Sequence, residues 1–351
     1  MCGIFGMVRS AQDPDPARAS RVFVALGHLA QQRGRDAAGF ALVSRAHLPS
    51  ARPAVPAEAI GHRDVQVGHC RVVKGTRRWA RLWRSSYLHE LDGATVALGH
   101  TRHASQGTPG TLVNAAPMVV GDGLVGTHNG DINADDLRCL LPLAVHGSQG
   151  ETDSEVLLLA LDRVRTDPPA VCEVLSTVQG LAALAWVDRH APDLVHLARA
   201  ALCPLAVARD ASGNLYWASS PSWFRRLDER AGGRLGFEVE LVGQGTLLTV
   251  AAGATPQVVA RRSFEPVSRP GDDLRYPTIW DGLDPADVAA FRAEASHRTA
   301  QKVMPSPYGR QRPRRTVASL ATATASSVTR RDLPTPTGPS TVTSSSYSHP
   351  T

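Results

Sequence analysis

Met1-Cys2-Gly3-Ile4-Phe5-Gly6 opens the chain, and the reading of these six residues decides the rest. Met1 precedes a small residue, so removal of the initiator methionine would leave Cys2 with a thiol and a free α-amine on one residue. A thiol needs a base before it attacks a carbonyl, and an α-amine can be that base. The amine's reference pKa of ~7.7–8.0 leaves it partly neutral near pH 7. One residue then supplies both nucleophile and base, with no histidine required. A lone cysteine near a chain start is also a common accident, so the remaining residues must decide. The apolar run over residues 2–9 predicts a strand buried on both faces.

Outward from that stretch, 351 residues allow one large domain or two small ones. At 42% hydrophobic the chain can bury a core, and at 5% aromatic that core leans on Ala, Val and Leu. The formal charge of +6 is not spread evenly: residues 301–351 hold seven basic side chains and the single acid Asp332, which accounts for all of it. A neutral body with a basic tail argues against a nucleic-acid-binding domain. The five cysteines (Cys2, Cys70, Cys139, Cys172, Cys203) are scattered and include no CxxC, so neither a disulfide framework nor a zinc site is expected. No metal or other cofactor is expected. With no export signal and no apolar run of ~18 residues, the expectation is a cytoplasmic protein without a membrane span.

Along the chain, Asp15-Pro16 predicts a helix start, with Val22, Leu26 and Leu29 on its buried face as far as Gln32. Strands are expected at 40–43, 65–73 and 95–100, with a proline-bearing loop over 45–64. A basic helix is expected over 77–91, with Trp79, Trp83 and Tyr87 in one stripe, more in the manner of packing than of base stacking. Thr101 to Gly107 reads as a polar loop, and a strand over 124–127 delivers His128-Asn129-Gly130. Helices are expected at about 134–141 and 153–166. From Gly180 onward the pattern is β, at 181–187, 194–199, 204–209, 214–218, 237–242 and 245–250. Strand blocks around a helical middle predict an α+β fold, sheets packed together and covered by helices. A short helix is expected at 285–298. From Thr316 to Thr351, 17 of 36 residues are Ser or Thr, so that segment should be disordered.

Five stretches, in order, resemble one family: CGIFG (2–6), RGRDAAGF (33–40), GHTRHASQG (99–107), HNGDI (128–132) and ETDSE (151–155). They are similar to the glutaminase domain of class II glutamine amidotransferases, which are N-terminal-nucleophile hydrolases. That domain stands at the front of enzymes such as glutamine–fructose-6-phosphate aminotransferase. The resemblance implies a four-layer αββα sandwich of two mainly antiparallel sheets. It also implies hydrolysis of the glutamine side-chain amide through a Cys2 thioester. The expected organisation is a glutaminase domain over 2–265, an extension with a short helix over 266–300, and a tail over 301–351.

The chemistry can be laid on these residues. A tetrahedral intermediate needs preorganised donors for its oxyanion, and the resemblance assigns these to the Asn129 side chain and the Gly130 N–H. Taken alone, Asn-Gly would read as a tight turn. Glutamine's α-carboxylate calls for a bidentate cation, at the position of Arg102; its α-ammonium calls for an acid, at the position of Asp153. Asp153 also fits a helix start behind Thr152, with Glu155 as capping partner, and both readings can hold. Ser105 stands where the family has Thr in the substrate loop. Arg33 is read either as support for the nucleophile or as a turn residue. The chain departs from the family's usual residues at Arg35, Ala37, His103 and Gln106, which bears on specificity. His103 is read as a wall of the pocket, because the Cys2 amine already serves as base.

The partners implied are glutamine and a separate ammonia-acceptor enzyme, since no phosphate loop or dinucleotide fingerprint follows the β block. The alternatives are a hydrolase acting on a γ-glutamyl amide in a larger metabolite, and a non-catalytic interaction module that keeps the fold.

Overall fold

The opening run Gly3–Val8 forms β1, and all six of its residues are buried. It lies antiparallel between β5 (Val96–Arg102) and β11 (Leu215–Ala218). On the far side of β5 come β2 (Ala37–Val43), β4 (Cys70–Gly75) and β3 (His62–Val67). On the far side of β11 come β10 (Ala206–Arg209) and β12 (Glu238–Leu241), completing an eight-stranded sheet. A second, six-stranded sheet runs β14 (Gln257–Ser263), β13 (Thr246–Ala251), β9 (Ala191–Arg199), β8 (Gln179–Asp188), β7 (Leu124–Asn133) and β6 (Met118–Val120). The neighbouring strands of both sheets pair antiparallel. The computed structural model describes residues 1–44, 61–139 and 150–269, with 271, 280, 284–289 and 291–293. These residues fall within one compact unit, Met1–Gly309.

Pleat parity sorts the side chains into layers, because successive residues of a strand point to opposite faces. Ile4 and Val8 of β1, Val96 and Leu98 of β5, and Val125 of β7 pack in a cluster shared by the two sheets. Phe5 and Met7 point the other way, into a cluster under α1 (Pro16–Ala30) and α7 (Pro221–Arg230). Leu124, Leu184 and Trp186 face outward from the second sheet onto α5 (Asp153–Val164) and α6 (Pro168–Thr177). The result is four layers, helix–sheet–sheet–helix, as the family resemblance implied. Trp280 and Phe291 also belong to the inter-sheet cluster, Phe291 within the helical stretch 291–293.

Local signals that the sequence carried hold where the cap is explicit. The Asp15 carboxylate accepts the Arg18 N–H and Pro16 takes the first turn of α1. Three expectations need correction. The single strand over 65–73 is a hairpin of β3 and β4, turned at Gly68 with φ +58°. Glycine adopts that left-handed conformation at little cost. The helix over 77–91 is broken into α2 (Trp79–Leu82), a single 3-10 turn over Ser85–Tyr87 and α3 (Leu88–Gly93). The aromatic stripe explains the break. Trp79 sits 5.1 Å edge-on to Phe5, Trp83 stacks on Trp79 at 5.4 Å, and Tyr87 reaches Phe40 at 5.1 Å. Trp83 and Arg84 adopt extended backbone to let all three reach the sheet. Burying large aromatics, worth roughly 1.5–3 kcal/mol each, outweighs two or three helical hydrogen bonds. Trp79 and Tyr87 are thus consumed by the core. Finally, β6, β14, α6 and α7 lie where no element was expected.

Of the helix expected at about 134–141, the described residues contain α4 (Asp135–Arg138). Of the loop expected over 45–64, residues 45–60 lie outside the described residues and 62–64 belong to β3. The tail over 301–351 also lies outside them. Of the helix expected at 285–298, residues 285–289 and 291–293 are helical.

Candidate active site

Strand parity brings the nucleophile candidate and Asn129 into one layer. Cys2 has the parity of Ile4 and Val8, and Asn129 has that of Val125, so both side chains belong to the inter-sheet side. The ends of β1 and β5 coincide there, since Gly3 pairs with Thr101 and Arg102 comes directly after it. A cleft opens at this point, enclosing about 330 Å³ with its solvent mouth included, lined by Cys2, Arg102, Ser105, Gly130 and Asp153 among others.

Cys2 is buried, and its Sγ donates to the His103 carbonyl at 3.5 Å. Burial pushes the thiol's pKa up, while the chain's terminal ammonium and Arg102 pull it down. A buried thiol of this kind stays protonated unless a base accepts its proton. Met1 is buried too, in the inter-sheet cluster. Arg33, just past the end of α1, donates its Nε–H to the Cys2 carbonyl at 3.0 Å and is itself buried, so it braces the strand end that carries the thiol. The backbone of Arg102 lies against Gly34, where a Cβ would come within 2.5 Å of the Arg102 carbonyl carbon.

Asn129 and Gly130 sit inside β7, paired with Ala183 and Ala182, so the tight-turn reading of Asn-Gly is replaced by a strand. The Asn129 side chain is fully buried, and neither its Oδ1 nor its Nδ2 has a hydrogen-bond partner. A bare buried amide costs of order 1–3 kcal/mol, which calls for an explanation.

Asp153 lies in the first turn of α5 behind the cap Thr152, whose hydroxyl accepts the Glu155 N–H at 3.4 Å. Its carboxylate is buried and accepts N–H groups from Ile132 at 2.9 Å and Ser154 at 2.8 Å. Burial raises its pKa, opposed chiefly by His128. The cap and the pocket acid are therefore neighbouring residues rather than one.

Arg102 is placed differently from a waiting clamp. Its Nη1 donates to the carbonyls of Thr108 and Pro109 at 3.1 and 3.2 Å, and its Nη2 to those of Gln106 and Gly107 at 2.8 and 3.3 Å. The guanidinium thus shapes the 105–109 loop from inside. Ser105 and His103 are exposed on that loop and border the cleft.

Several contributors carried no signal strong enough to single out. Glu151 accepts the Thr108 N–H at 2.8 Å and the Asn114 amide at 3.1 Å, which clasps the loop to the start of α5. His100 sits under the cleft with its Nε2 3.1 Å from the His128 carbonyl, and burial pushes its pKa down to about 3, so it is neutral. Parity with Arg102 on a strand would have flagged His100. Asn114 and Glu151 are joined only by the fold. Among the described residues no group of three His, Cys, Asp or Glu side chains is placed to hold a metal ion, and no helix is long and apolar enough to cross a membrane.

Residues 104–226 match the family described as "Glutamine amidotransferase domain". That match begins just past Arg102 and so does not include Cys2. A glutamine–fructose-6-phosphate aminotransferase (isomerizing) from Zymomonas mobilis is 33% identical over 204 residues, 57% of this chain and 28% of that protein. Its counterpart from Pyrobaculum aerophilum is 28% identical over 228 residues, 63% of this chain and 33% of that protein. The chain thus spans about a third or less of these relatives. Among solved structures, the glutamine phosphoribosylpyrophosphate amidotransferase of B. subtilis superposes with a TM-score of 0.52 at 18% identity, over 75% of this chain and 49% of that one, a likeness of fold.

Proposed function

We propose that the chain carries a class II glutamine amidotransferase domain, a reading the matches to that family support, and that it hydrolyses the side-chain amide of glutamine to glutamate and ammonia. Cys2, freed of Met1, gives its thiol proton to its own α-amine, and the sulfur attacks the amide carbon. The oxyanion that forms is held by the Asn129 Nδ2–H and the Gly130 N–H. Collapse breaks the C–N bond, the ammonium proton of Cys2 goes to the leaving nitrogen, and ammonia departs from a Cys2 thioester. Water, deprotonated by the same amine, then cleaves the thioester to glutamate and restores the thiol.

Asp153 holds the α-ammonium of glutamine. Arg102 receives the α-carboxylate, which takes the place of carbonyl oxygens of the 106–109 turn on the guanidinium, and Ser105 adds a hydroxyl contact. Arg33 keeps Cys2 in register. The ammonia passes to an acceptor domain or enzyme.

The observation that carries this reading is the Asn129 amide, fully buried, without a partner, and in the layer faced by Cys2. The test is intact-protein and peptide mass spectrometry after treatment with a glutamine-mimicking diazoketone, alongside assay of glutamate release. Loss of Met1, a single adduct on Cys2 and glutamate from free glutamine are expected. Retention of Met1, labelling of another thiol, or glutamate released only from larger γ-glutamyl amides would overturn it.

A further inference from the structure

We propose that Arg269 is a positioning residue for the substrate loop, acting through Asp131 and Gln106; this rests on the glutamine reading of the cleft. The described chain beyond β14 runs back alongside β8. The Gly180 N–H donates to the Val267 carbonyl at 2.9 Å, and Gln179 and Val267 form a parallel bridge. That brings Arg269 to Gly180, where the bare Cα matters. A Cβ there would lie 2.4 Å from the Asp131 carbonyl oxygen and 3.3 Å from Arg269 Nη2, at a φ of +124° that side chains rarely adopt.

From Arg269 a continuous set of bonds leads to the cleft. Its Nη2 donates to Asp131 Oδ2 at 3.0 Å and to the Asp131 carbonyl at 3.1 Å. The other carboxylate oxygen, Oδ1, accepts from Gln106 Nε2 at 2.6 Å, and the same Nε2 donates to the Ile132 carbonyl at 3.2 Å. The Gln106 carbonyl in turn accepts from Arg102 Nη2 at 2.8 Å. The Asp131 side chain is 6% exposed and that of Arg269 23%. A carboxylate buried to that degree is strongly destabilising when one partner is removed, so Arg269 and Gln106 fix it from opposite sides. Asp131 lies two residues past Asn129 on the same face of β7. The segment 265–269, remote in sequence, thereby sets the loop that carries Ser105 and follows Arg102 at the end of β5.

The test compares the full chain with Arg269→Gln, Arg269→Lys and Asp131→Asn. Arg269→Gln is expected to raise KM for glutamine about tenfold with kcat within about twofold, the range of a coupling passed through one buried contact. Arg269→Lys should recover part of that loss. Amide hydrogen exchange over residues 103–109 should quicken in Arg269→Gln and Asp131→Asn alike, and adding Gln106→Ala to Arg269→Gln should add little. Unchanged exchange in that segment, or a fall in kcat with KM unchanged, overturns the proposal. Should the wild-type chain neither hydrolyse glutamine nor react with the diazoketone, the glutamine reading falls, and exchange over 103–109 still decides whether Arg269 holds the loop. Asp131→Asn keeps the side chain's shape, so it serves where Arg269→Gln fails to fold.

Discussion

Two strand-borne groups of the site, Cys2 with Asn129, and the groups around the substrate loop, Arg102 at the end of β5 with Ser105 just beyond it, differ in what holds them. Cys2 directly precedes β1, whose Gly3 pairs with Thr101, and Asn129 lies inside β7, paired with Ala183, so strand pairing and core packing fix the backbone at both. Arg102 ends β5, and the loop after it is shaped by side-chain bonds: Arg102 to the carbonyls of residues 106–109, Glu151 to Thr108, Gln106 to Asp131. Groups that must meet developing charge within a fraction of an ångström are built on strands. On the proposed reading, the groups around the far end of the substrate border a loop, which can adjust as it binds. If this division is right, damage to the first half should appear in kcat and damage to the second in KM.

The largest effect is expected at Cys2. Cys2→Ala should abolish glutamate release and diazoketone labelling while leaving the far-ultraviolet circular dichroism intact, because the thiol contributes one 3.5 Å contact to the fold. Asn129→Ala should lower kcat by about 10²–10³, the usual loss for one oxyanion donor, with KM little changed. Steady-state kinetics decide this, and a raised KM with normal kcat would break the comparison. Asp153→Asn should raise KM by roughly ten- to a hundredfold, as expected for a charged hydrogen bond of ~1.5–3 kcal/mol, with kcat largely kept.

If Asp153 holds the substrate's ammonium as proposed, it also gives the grip a pH dependence. Its pKa is raised by burial, so the carboxylate takes up its proton above the ordinary range of about 3.9 and would release a bound ammonium sooner as pH falls. KM measured as the pH is lowered from neutral toward the carboxylate range should climb in the wild type at a higher pH than an ordinary carboxylate would give, and the climb should be lost in Asp153→Asn. The same shift works against stability. A carboxyl whose folded pKa is raised costs stability above its unfolded value, and the cost fades as pH drops.

Lys74 sharpens the comparison from outside the cleft. It is buried with its Nζ donating to the Ala115 carbonyl at 2.6 Å, and burial lowers its pKa to about 8. A lysine whose folded value is depressed binds fewer protons folded than unfolded between about 8 and its ordinary 10.5. Stability from this residue therefore rises with pH through that window. Urea unfolding of wild type and Lys74→Met at pH 8 and pH 10 should differ in slope by up to about 2 kcal/mol, with KM and kcat alike in both. The smallest effect belongs to Ser105→Ala, a severalfold rise in KM, equivalent to about 1 kcal/mol for one neutral hydrogen bond.

How much of this was legible varies residue by residue. Cys2, Arg33, Arg102, Asn129, Gly130 and Asp153 were named from short ordered motifs, and the fold brings all but Arg33 and Asn129 directly onto the cleft wall, with those two bonded to it or layered behind it. The helix over 77–91 failed because its aromatic stripe competes for Phe5, Phe23 and Phe40, a contest that periodicity cannot see. The strand over 65–73 failed because Gly68 is the turn of a hairpin whose register depends on its pairing with β2. Arg269 carries no local signal, and Asp131 none beyond its place in the HNGDI stretch; their meaning lies in a contact across 138 residues.

The linear order of residues by itself determined the chemistry on offer: a thiol at position 2, an Asn-Gly pair, an arginine and an acid, with alternating apolar runs to bury them. These are properties of residue type, spacing and chain neighbours, which need no partner to exist. Only the tertiary structure decided that Asn-Gly is a strand, that Arg102 is engaged with its own loop, and that Asp131 stands between Arg269 and Gln106. Each depends on the pairing of segments far apart in sequence, where burial and hydrogen-bond satisfaction outweigh local preference.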